Sequence, residues 1–259
     1  MNSNSCFYIG NDHHICEDYA LEGGDDYFTY AIVSDGCSAS ESVDFGARVL
    51  AMSAKKVLKE IENGNDLNAE EFGEEAIQNA AKVIDIFQYL SYQCLDATLL
   101  VAWVQNKNLR IYAYGDGMIL HRKKNDTKIF HIHLTSNAPD YLSYNINVIR
   151  RKQYNELKDN KKEVWISYDG IHDYKPFDPF VYEFPVEEGD VISLISDGIN
   201  SFRKADYTPI PWQELVDEFT LYKNFEGEFV LRRISAFKRK CLKEGWVHSD
   251  DISIASIVV

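Results

Sequence analysis

Patterns typical of helices fall in two separate blocks of this chain, and patterns typical of strands lie before, between and after them. The first helical block covers about residues 38–87 and the second about residues 212–242. Strands and helices that are grouped in this way predict an α+β fold, because a parallel βαβ sheet needs them to alternate. The first and last strands can pair only across the whole chain, so we expect a single domain over residues 1–259.

The predicted strands are rich in β-branched and aromatic residues, which suit a pleated and partly buried surface. They cover residues 27–34, 97–104, 109–114, 118–122, 128–134, 163–167, 181–184, 191–196 and 251–259. Short loops separate the three strands between residues 97 and 122, which favours antiparallel pairing among them. Three prolines fall close together between about residues 168 and 185, and they predict a surface excursion between strands.

The first helical block contains two predicted helices. Ser38 and Glu41 have the spacing of a capping box, so the first helix is expected to begin there and to end at Gly64. The second is expected to begin after Asn68, with apolar residues at helical intervals as far as Phe87. Two more helices are predicted near residues 212–221 and 229–242.

The net charge of −14 limits the partners of this chain. An acidic surface repels the nucleic-acid backbone and anionic lipid, so we expect neither nucleic acid nor a membrane as a partner. Short basic runs occur at residues 122–124, 150–152 and 238–240. We interpret them as solvated faces, with a docking patch for an anionic substrate as the alternative.

The cysteines and the apolar runs indicate the compartment. The five cysteines show no pattern of a disulfide framework or a zinc site. The first 15 residues carry no basic and apolar leader, and the longest apolar run, residues 99–104, is too short to cross a bilayer. The cytoplasm is therefore the expected location.

Two segments of the chain, residues 31–36 and 193–198, are apolar strands that end in Ser-Asp-Gly. Such a strand can hold a carboxylate rigidly at its end, here Asp35 and Asp197, and the following glycine lets the backbone approach a ligand. Asp-Gly is also a favoured hairpin turn, but the first copy runs into a helix instead. Carboxylates and carbonyls grouped in this way suit hard cations such as Mg²⁺ and Mn²⁺.

Other acidic residues lie at similar junctions. Glu17 and Asp18 follow a short N-terminal strand, Asp116 lies between two glycines, and Asp250 and Asp251 open the final strand. Each of them alone is also explained as a surface acid or a turn residue. Sequence patterns of a phosphate-binding loop, a nucleophile elbow, an HExxH zinc site and an EF-hand are all missing from the chain.

Taken in order, six segments resemble the metal-dependent type 2C protein phosphatase family. They are residues 16–20, residues 33–36 with 45–48, and residues 97–100, 114–117, 195–199 and 249–253. The resemblance covers nearly the whole chain. It implies a central sandwich of two antiparallel β-sheets flanked by α-helices on both sides, which is compatible with the α+β prediction.

The resemblance also implies a site with two Mn²⁺ or Mg²⁺ ions at one end of the sandwich. Asp35 would bridge the ions, and the Gly36 carbonyl would be a further ligand. The other implied ligands are Asp197 and Asp250 for one ion, Glu17 and Asp18 for the second, directly or through bound water, and Asp116 for a third, weaker ion.

The implied function is a Mg²⁺- or Mn²⁺-dependent protein serine/threonine phosphatase that hydrolyses phosphomonoesters with a water molecule activated by the metals. Two metals can supply that activation and can neutralise phosphoryl charge, so no protein nucleophile is required. The resemblance implies a phosphorylated protein as substrate and a serine/threonine kinase as the opposing enzyme.

The chain departs from the family pattern where many members place an arginine that holds the phosphate. Here His13 and His14 occupy that stretch, and His13 is the preferred substitute because Gly10 and His13 before Cys16 resemble a bacterial branch of the family. A surface histidine without function is the alternative. The missing arginine keeps two other functions open, which are an inactive pseudophosphatase that acts as a regulatory binding module and a hydrolase for small phosphoesters.

Overall fold

The computed structural model of the chain describes residues 1–157, 159–166, 170–174 and 179–259. The strands are β1 Asn2–Tyr8, β2 Tyr19–Gly24, β3 Phe28–Ser34, β4 Leu99–Gln105, β5 Asn108–Tyr114, β6 Gly117–Arg122, β7 Thr127–Leu134, β8 Lys162–Ile166, β9 Gly170–Tyr174, β10 Phe180–Pro185, β11 Val191–Ile195, β12 Phe202–Arg203, β13 Val247–His248 and β14 Ile252–Val258. The α-helices are α1 Val43–Glu62, α2 Ala69–Ile84, α3 Val148–Asn155, α4 Trp212–Thr220 and α5 Phe229–Glu244. Short 3₁₀ helices cover Tyr92–Leu95, Leu142–Ile146 and Asp197–Ser201.

Two antiparallel sheets contain most of the strands. One has seven strands in the order β1-β14-β11-β6-β7-β8-β9, and the other has five in the order β10-β5-β4-β3-β2. Strands β12 and β13 form a separate small pair. Strand β1 pairs with β14 along its whole length, so the two ends of the described chain meet in one sheet.

Three hydrophobic cores separate four layers. On β3, Ile32 packs in the core under α1 and α2, whereas its neighbour Val33 packs in the core between the two sheets. On β14, Ala255 faces the core between the sheets and Ile254 faces the core under α4 and α5. Both strands are buried on both faces, which explains why they are apolar at nearly every position. This order of helices, sheet, sheet and helices confirms the predicted fold class.

The predicted start of α1 is wrong. The helix begins at Val43, and Ser42 before it has φ 59° and makes no side-chain capping bond. The loop at residues 37–40 is held elsewhere, because the Ser40 hydroxyl donates to Asp96 Oδ2 at 2.8 Å and the Cys37 N–H donates to the Asp96 carbonyl at 2.8 Å. The predicted start of α2 is confirmed by the capping box between Asn68 and Glu71.

The predicted pairing of the three strands after residue 97 is only half right. Strands β4 and β5 form a hairpin, but β5 and β6 lie in different sheets. Gly115 with φ 93° and Gly117 with φ 129° adopt backbone conformations that favour glycine, and they let the chain cross from one sheet to the other. The crossing leaves Asp116 at the end of the sandwich where the two sheets meet.

The strand predicted at residues 181–184 is confirmed as β10, but the predicted surface excursion before it also contains a strand, β9. Strand β9 pairs with β8 and β10 pairs with β5, while residues 167–169 and 175–178 lie outside the described part of the chain. Pro185 is compatible with the sheet because it is the last residue of an edge strand. None of the helices that the structure describes is long and apolar enough to span a membrane.

Candidate functional site

Two of the predicted ligands are brought together within the five-stranded sheet. Strands β2 and β3 are antiparallel, and Tyr19 at the start of β2 pairs with Ser34 at the end of β3. Asp18 precedes the first of these residues and Asp35 follows the second, so both carboxylates lie at the same end of the sheet. The side chain of Asp18 is buried.

The seven-stranded sheet supplies the other ligands at the same end. Strand β11 lies between β14 and β6, and its residue Ile195 pairs with Met118 of β6 and with Ile254 of β14. Asp197 therefore follows β11 beside Asp250, which precedes β14, and beside Asp116, which precedes β6. The register of these pairings brings together carboxylates that are far apart in the sequence.

Gly36 allows the two backbone segments of the site to pass closely. A Cβ atom at this position would lie 2.8 Å from the carbonyl oxygen of Glu17, which is closer than real Cβ contacts. The glycine therefore permits the loop that carries Glu17 to lie against the end of β3.

Four carboxyl groups of the site, those of Asp18, Asp35, Asp116 and Asp250, have raised pKa values. Burial, followed by the charges of Asp18 and Asp197, raises the pKa of Asp35 well above its ordinary value. Burial also raises the pKa of Asp18 to about 7, against the opposing effect of nearby hydroxyl groups, and that of Asp250 to about 6, with help from Asp197. Burial and then Asp197 raise the pKa of Asp116 well above its ordinary value. This cluster of repelling acids is one that positive charge would stabilise.

Unpaired oxygen atoms provide a test of whether the residues fit a metal. Asp18 Oδ2 and Glu17 Oε2 are buried and have no hydrogen-bond partner among the described residues. Buried polar atoms are normally paired, and carboxylate oxygens are the ligands that Mg²⁺ and Mn²⁺ prefer. The donor set of the site therefore fits hard divalent cations.

His13 lies beside these carboxylates, whereas His14 is exposed. His13 Nδ1 is 2.9 Å from Asp251 Oδ2, and its Nε2 is 3.6 Å from Asp250 Oδ1. Burial acts to lower the pKa of His13, but the carboxylates of Asp251, Asp250 and Glu17 outweigh it and raise the pKa. The role of His13 in holding the phosphate stays a prediction.

Asp251 has a larger part in the site than the sequence indicated. Its side chain is only 1% exposed, Oδ1 accepts the Gly10 N–H at 2.7 Å, and Oδ2 accepts the Glu17 N–H at 2.5 Å. These bonds fix both ends of the loop that carries His13. The sequence placed Asp251 at the start of the last strand but contained no signal that its carboxylate would bind the backbone of residues 10–17.

A buried ion pair supports the loop after Gly36. Arg150 forms two hydrogen bonds with Asp96, of 2.8 Å to Oδ1 and 2.6 Å to Oδ2, and the Ser143 hydroxyl donates to the same carboxylate. The interpretation of residues 150–152 as a solvated face is therefore wrong for Arg150, and also for Arg151, which pairs with the buried Asp140. Periodicity could not reveal this, because the partners are distant in sequence.

We expect Arg150→Ala to destabilise the fold by about 3 kcal/mol, because it leaves the Asp96 carboxylate buried without its charge partner. Asp96 is 3% exposed and Arg150 is 21% exposed, so solvent screening of the pair is weak. Chemical denaturation measures the change. Lys152→Ala is the matched control, since Lys152 belongs to the same basic run and is exposed. An equal loss in both variants would contradict the importance of the pair.

The layered arrangement of helices around two antiparallel sheets is the fold of type 2C phosphatase domains. The sequence model of the protein phosphatase 2C family matches residues 11–232, and the chain belongs to that family. No curated protein matches the sequence of this chain.

Solved structures with the same fold share little sequence with this chain. The phosphatase domain of SpoIIE from Bacillus subtilis, solved with a fragment of its regulatory domain, is similar with a TM-score of 0.59 and 13% identity, over 100% of this chain and 63% of that one. The S. agalactiae serine/threonine phosphatase has a TM-score of 0.55 and 15% identity, over 99% and 98%. The catalytic domain of the serine/threonine protein phosphatase PstP, in complex with two manganese ions, has a TM-score of 0.51 and 12% identity, over 99% and 97%.

Proposed function

We propose that this chain is a Mg²⁺- or Mn²⁺-dependent protein serine/threonine phosphatase, with residues 1–259 as one catalytic domain. The observation that carries the proposal is the group of carboxylates from both sheets at one end of the sandwich, with buried oxygens that lack hydrogen-bond partners among the described residues. So many acidic side chains close together repel one another and destabilise the fold unless they bind cations.

The proposed ligands follow from the positions of the side chains. Asp35 is the proposed bridging residue because the charges of Asp18, from the same sheet, and of Asp197, from the other sheet, both act on its carboxylate. The other proposed ligands are the Gly36 carbonyl, Glu17, Asp18, Asp116, Asp197 and Asp250. When bound, divalent cations at such a site supply Lewis-acid activation of water and neutralise phosphoryl charge.

The surrounding residues orient these ligands. The Ser196 and Ser253 hydroxyls lie beside Asp18, and the Ser196 hydroxyl also accepts the Ser253 N–H at 2.9 Å, which ties β11 to β14 beside the site. The pair of Asp96 with Arg150 holds the loop that begins at Gly36. A ligand set held by packed strands needs little reorganisation when it binds a charged substrate.

A phosphorylated protein is the proposed substrate, with a serine/threonine kinase as the opposing enzyme. The net charge of −14 argues against nucleic acid as a partner. All five cysteines are free, which is compatible with the proposed cytoplasmic location. A regulatory binding module is the second candidate, favoured by His13 at the position where a phosphate-holding arginine was expected.

Hydrolysis of p-nitrophenyl phosphate and of a phosphothreonine peptide tests the proposal. We expect turnover of both with Mn²⁺ and none with EDTA. Faster turnover of the peptide would support a protein substrate over a small phosphoester. A folded protein that binds Mn²⁺ but hydrolyses neither compound would contradict phosphatase function and favour the binding module.

A further inference from the structure

We propose that His13, Glu17 and Asp251 form a transition-metal site in which the His13 imidazole is a direct ligand. The site shares Glu17 with the carboxylate cluster and lies beside Asp250, another proposed ligand of that cluster, and it rests on the proposed function through these two residues. His13 would then bind an ion instead of the phosphate group.

The distances between the three donor atoms suit a single ion. His13 Nδ1, a Glu17 carboxylate oxygen and an Asp251 carboxylate oxygen all lie within 4.8 Å of one another. His13 Nδ1 is 2.9 Å from Asp251 Oδ2 and 3.8 Å from Glu17 Oε2. Ligands with bonds of about 2.0–2.1 Å at neighbouring octahedral or tetrahedral positions are separated by roughly 3–3.5 Å, so small side-chain movements complete the geometry.

Two of the three donor atoms are buried without a hydrogen-bond partner in the described part of the chain. They are His13 Nδ1 and Glu17 Oε2, in side chains that are 17% and 25% exposed. Nδ1 and Asp251 Oδ2 are close but poorly aligned for a hydrogen bond. Donor atoms that both bind one metal ion lying between them would show this arrangement.

The other nitrogen of His13 lies near a carboxylate, at a distance slightly longer than a hydrogen bond. Its Nε2 faces Asp250 Oδ1 at 3.6 Å. Histidine ligands usually direct their second N–H to a carboxylate or carbonyl, which fixes the tautomer and leaves the first nitrogen free to bind the metal. Asp250 can fill this role for His13.

The loop that carries the ligands is fixed before any ion binds. The Asn11 and Asp12 N–H groups donate to the His248 and Ser249 carbonyls at 3.0 and 3.1 Å. Gly10 packs so tightly that a Cβ atom would lie 2.3 Å from the Asp250 backbone. With the two bonds to Asp251, the loop is held at both ends and in the middle, as a preorganised site requires.

The ligand types indicate the class of ion. One imidazole with two carboxylates suits Mn²⁺, Fe²⁺ or Zn²⁺, whereas Mg²⁺ and Ca²⁺ prefer oxygen ligands alone. A site of this kind would make the chain bind Mn²⁺ more tightly than Mg²⁺. It also gives Asp251 a function that a neutral asparagine would fulfil less well.

Pulsed electron paramagnetic resonance of the Mn²⁺-loaded full chain tests the assignment. We expect modulation from a directly bound histidine nitrogen, which changes when the histidines carry ¹⁵N. The signal should disappear in His13→Gln. Mutation of a residue that supports a metal ligand typically lowers metal affinity about 10–100-fold, and loss of the ligand His13 should lower Mn²⁺ affinity at least as much. His14→Gln is the matched control, because His14 is adjacent and exposed, and it should keep the signal.

Two further variants keep the result interpretable. Asp251→Asn should weaken Mn²⁺ binding at the same site, and it replaces the His13 variant if that variant does not fold. Asp35→Asn should keep the nitrogen signal even though it disables the carboxylate cluster. Absent turnover of the wild-type chain with the nitrogen signal intact would contradict the phosphatase proposal alone and leave the His13 site standing. Mn²⁺ binding without nitrogen modulation, a signal that survives His13→Gln, or no Mn²⁺ binding would each overturn the site and leave an ion pair between His13 and Asp251.

Discussion

Asp35→Asn is expected to abolish Mn²⁺-dependent hydrolysis and at the same time to raise the melting temperature of the metal-free protein. The two effects have one cause, because Asp35 is a half-buried carboxylate on which the charges of other carboxylates act. Asparagine removes the carboxylate that would hold the cations and, at alkaline pH where Asp35 is ionised, also the charge that repels Asp18 and Asp197. Loss of one strong electrostatic contribution to a transition state typically costs on the order of 10²–10³-fold in kcat.

Steady-state kinetics with p-nitrophenyl phosphate and thermal melting in EDTA measure the two effects. Asp126→Asn is the matched control, because Asp126 is an exposed aspartate beyond the far end of β6 from Asp116. It should change neither quantity. A variant at Asp35 that kept wild-type turnover would remove this residue from the proposed ligands, and one that was less stable in EDTA would contradict the repulsion.

The metal-free protein is expected to lose stability as the pH rises from 5 to 8, and Mn²⁺ is expected to restore it. The pKa values of Asp18 and Asp250, about 7 and about 6, lie above the ordinary value of 3.8. Between the unfolded and folded pKa values the folded state binds more protons than the unfolded state, so stability falls as the pH rises through that window. Above pH 7 these groups are ionised in both states, and the loss is complete.

Bound cations replace the protons and reverse this dependence. An ion present at about 100 times its dissociation constant adds roughly 2.7 kcal/mol. In a protein of this size 1 kcal/mol corresponds to about 2–4 °C, so one site should raise the melting temperature by roughly 5–10 °C at pH 8. The increase should be smaller at pH 5, where protons compete with the ion.

Thermal melting at pH 5, 6.5 and 8, with EDTA and with Mn²⁺, measures this dependence. Asp35→Asn serves as the control, since a cluster with one charge fewer should show a flatter profile in EDTA. Identical melting curves with and without Mn²⁺ at pH 8 would contradict the metal cluster.

The parts of the molecule that the sequence predicted well are those set by local chemistry. Strand β3 and the start of α2 after Asn68 depend on apolar patterns and on contacts between residues close in the sequence, and both were found as expected. The Ser38 and Glu41 spacing failed because Asp96, almost 60 residues away, binds the loop that holds Ser40.

The site likewise has features that local sequence patterns predict and features that depend on distant contacts. The carboxylates at strand ends could be named from the sequence because each follows or precedes an apolar run. The contacts of Asp251 with Gly10 and Glu17 span more than 230 residues, and the pair of Arg150 with Asp96 spans 54. Such contacts depend on how the sheets are stacked, which no local pattern describes. The crossing at Asp116 shows this too, since a short loop usually joins paired strands but here joins the two sheets.

Because the chain crosses between the sheets at Asp116, the carboxylate cluster lies where the two sheets meet. Asp18 and Asp35 are carried by one sheet, and Asp197 and Asp250 by the other, so the spacing of the ligands is the spacing of the sheets. A cation bound by both sets of carboxylates would cross-link the two sheets. Its binding affinity would therefore depend on how closely the sheets pack against each other. Substitutions that disturb packing between the sheets, even far from the ligands, would therefore weaken ion binding before they unfold the protein.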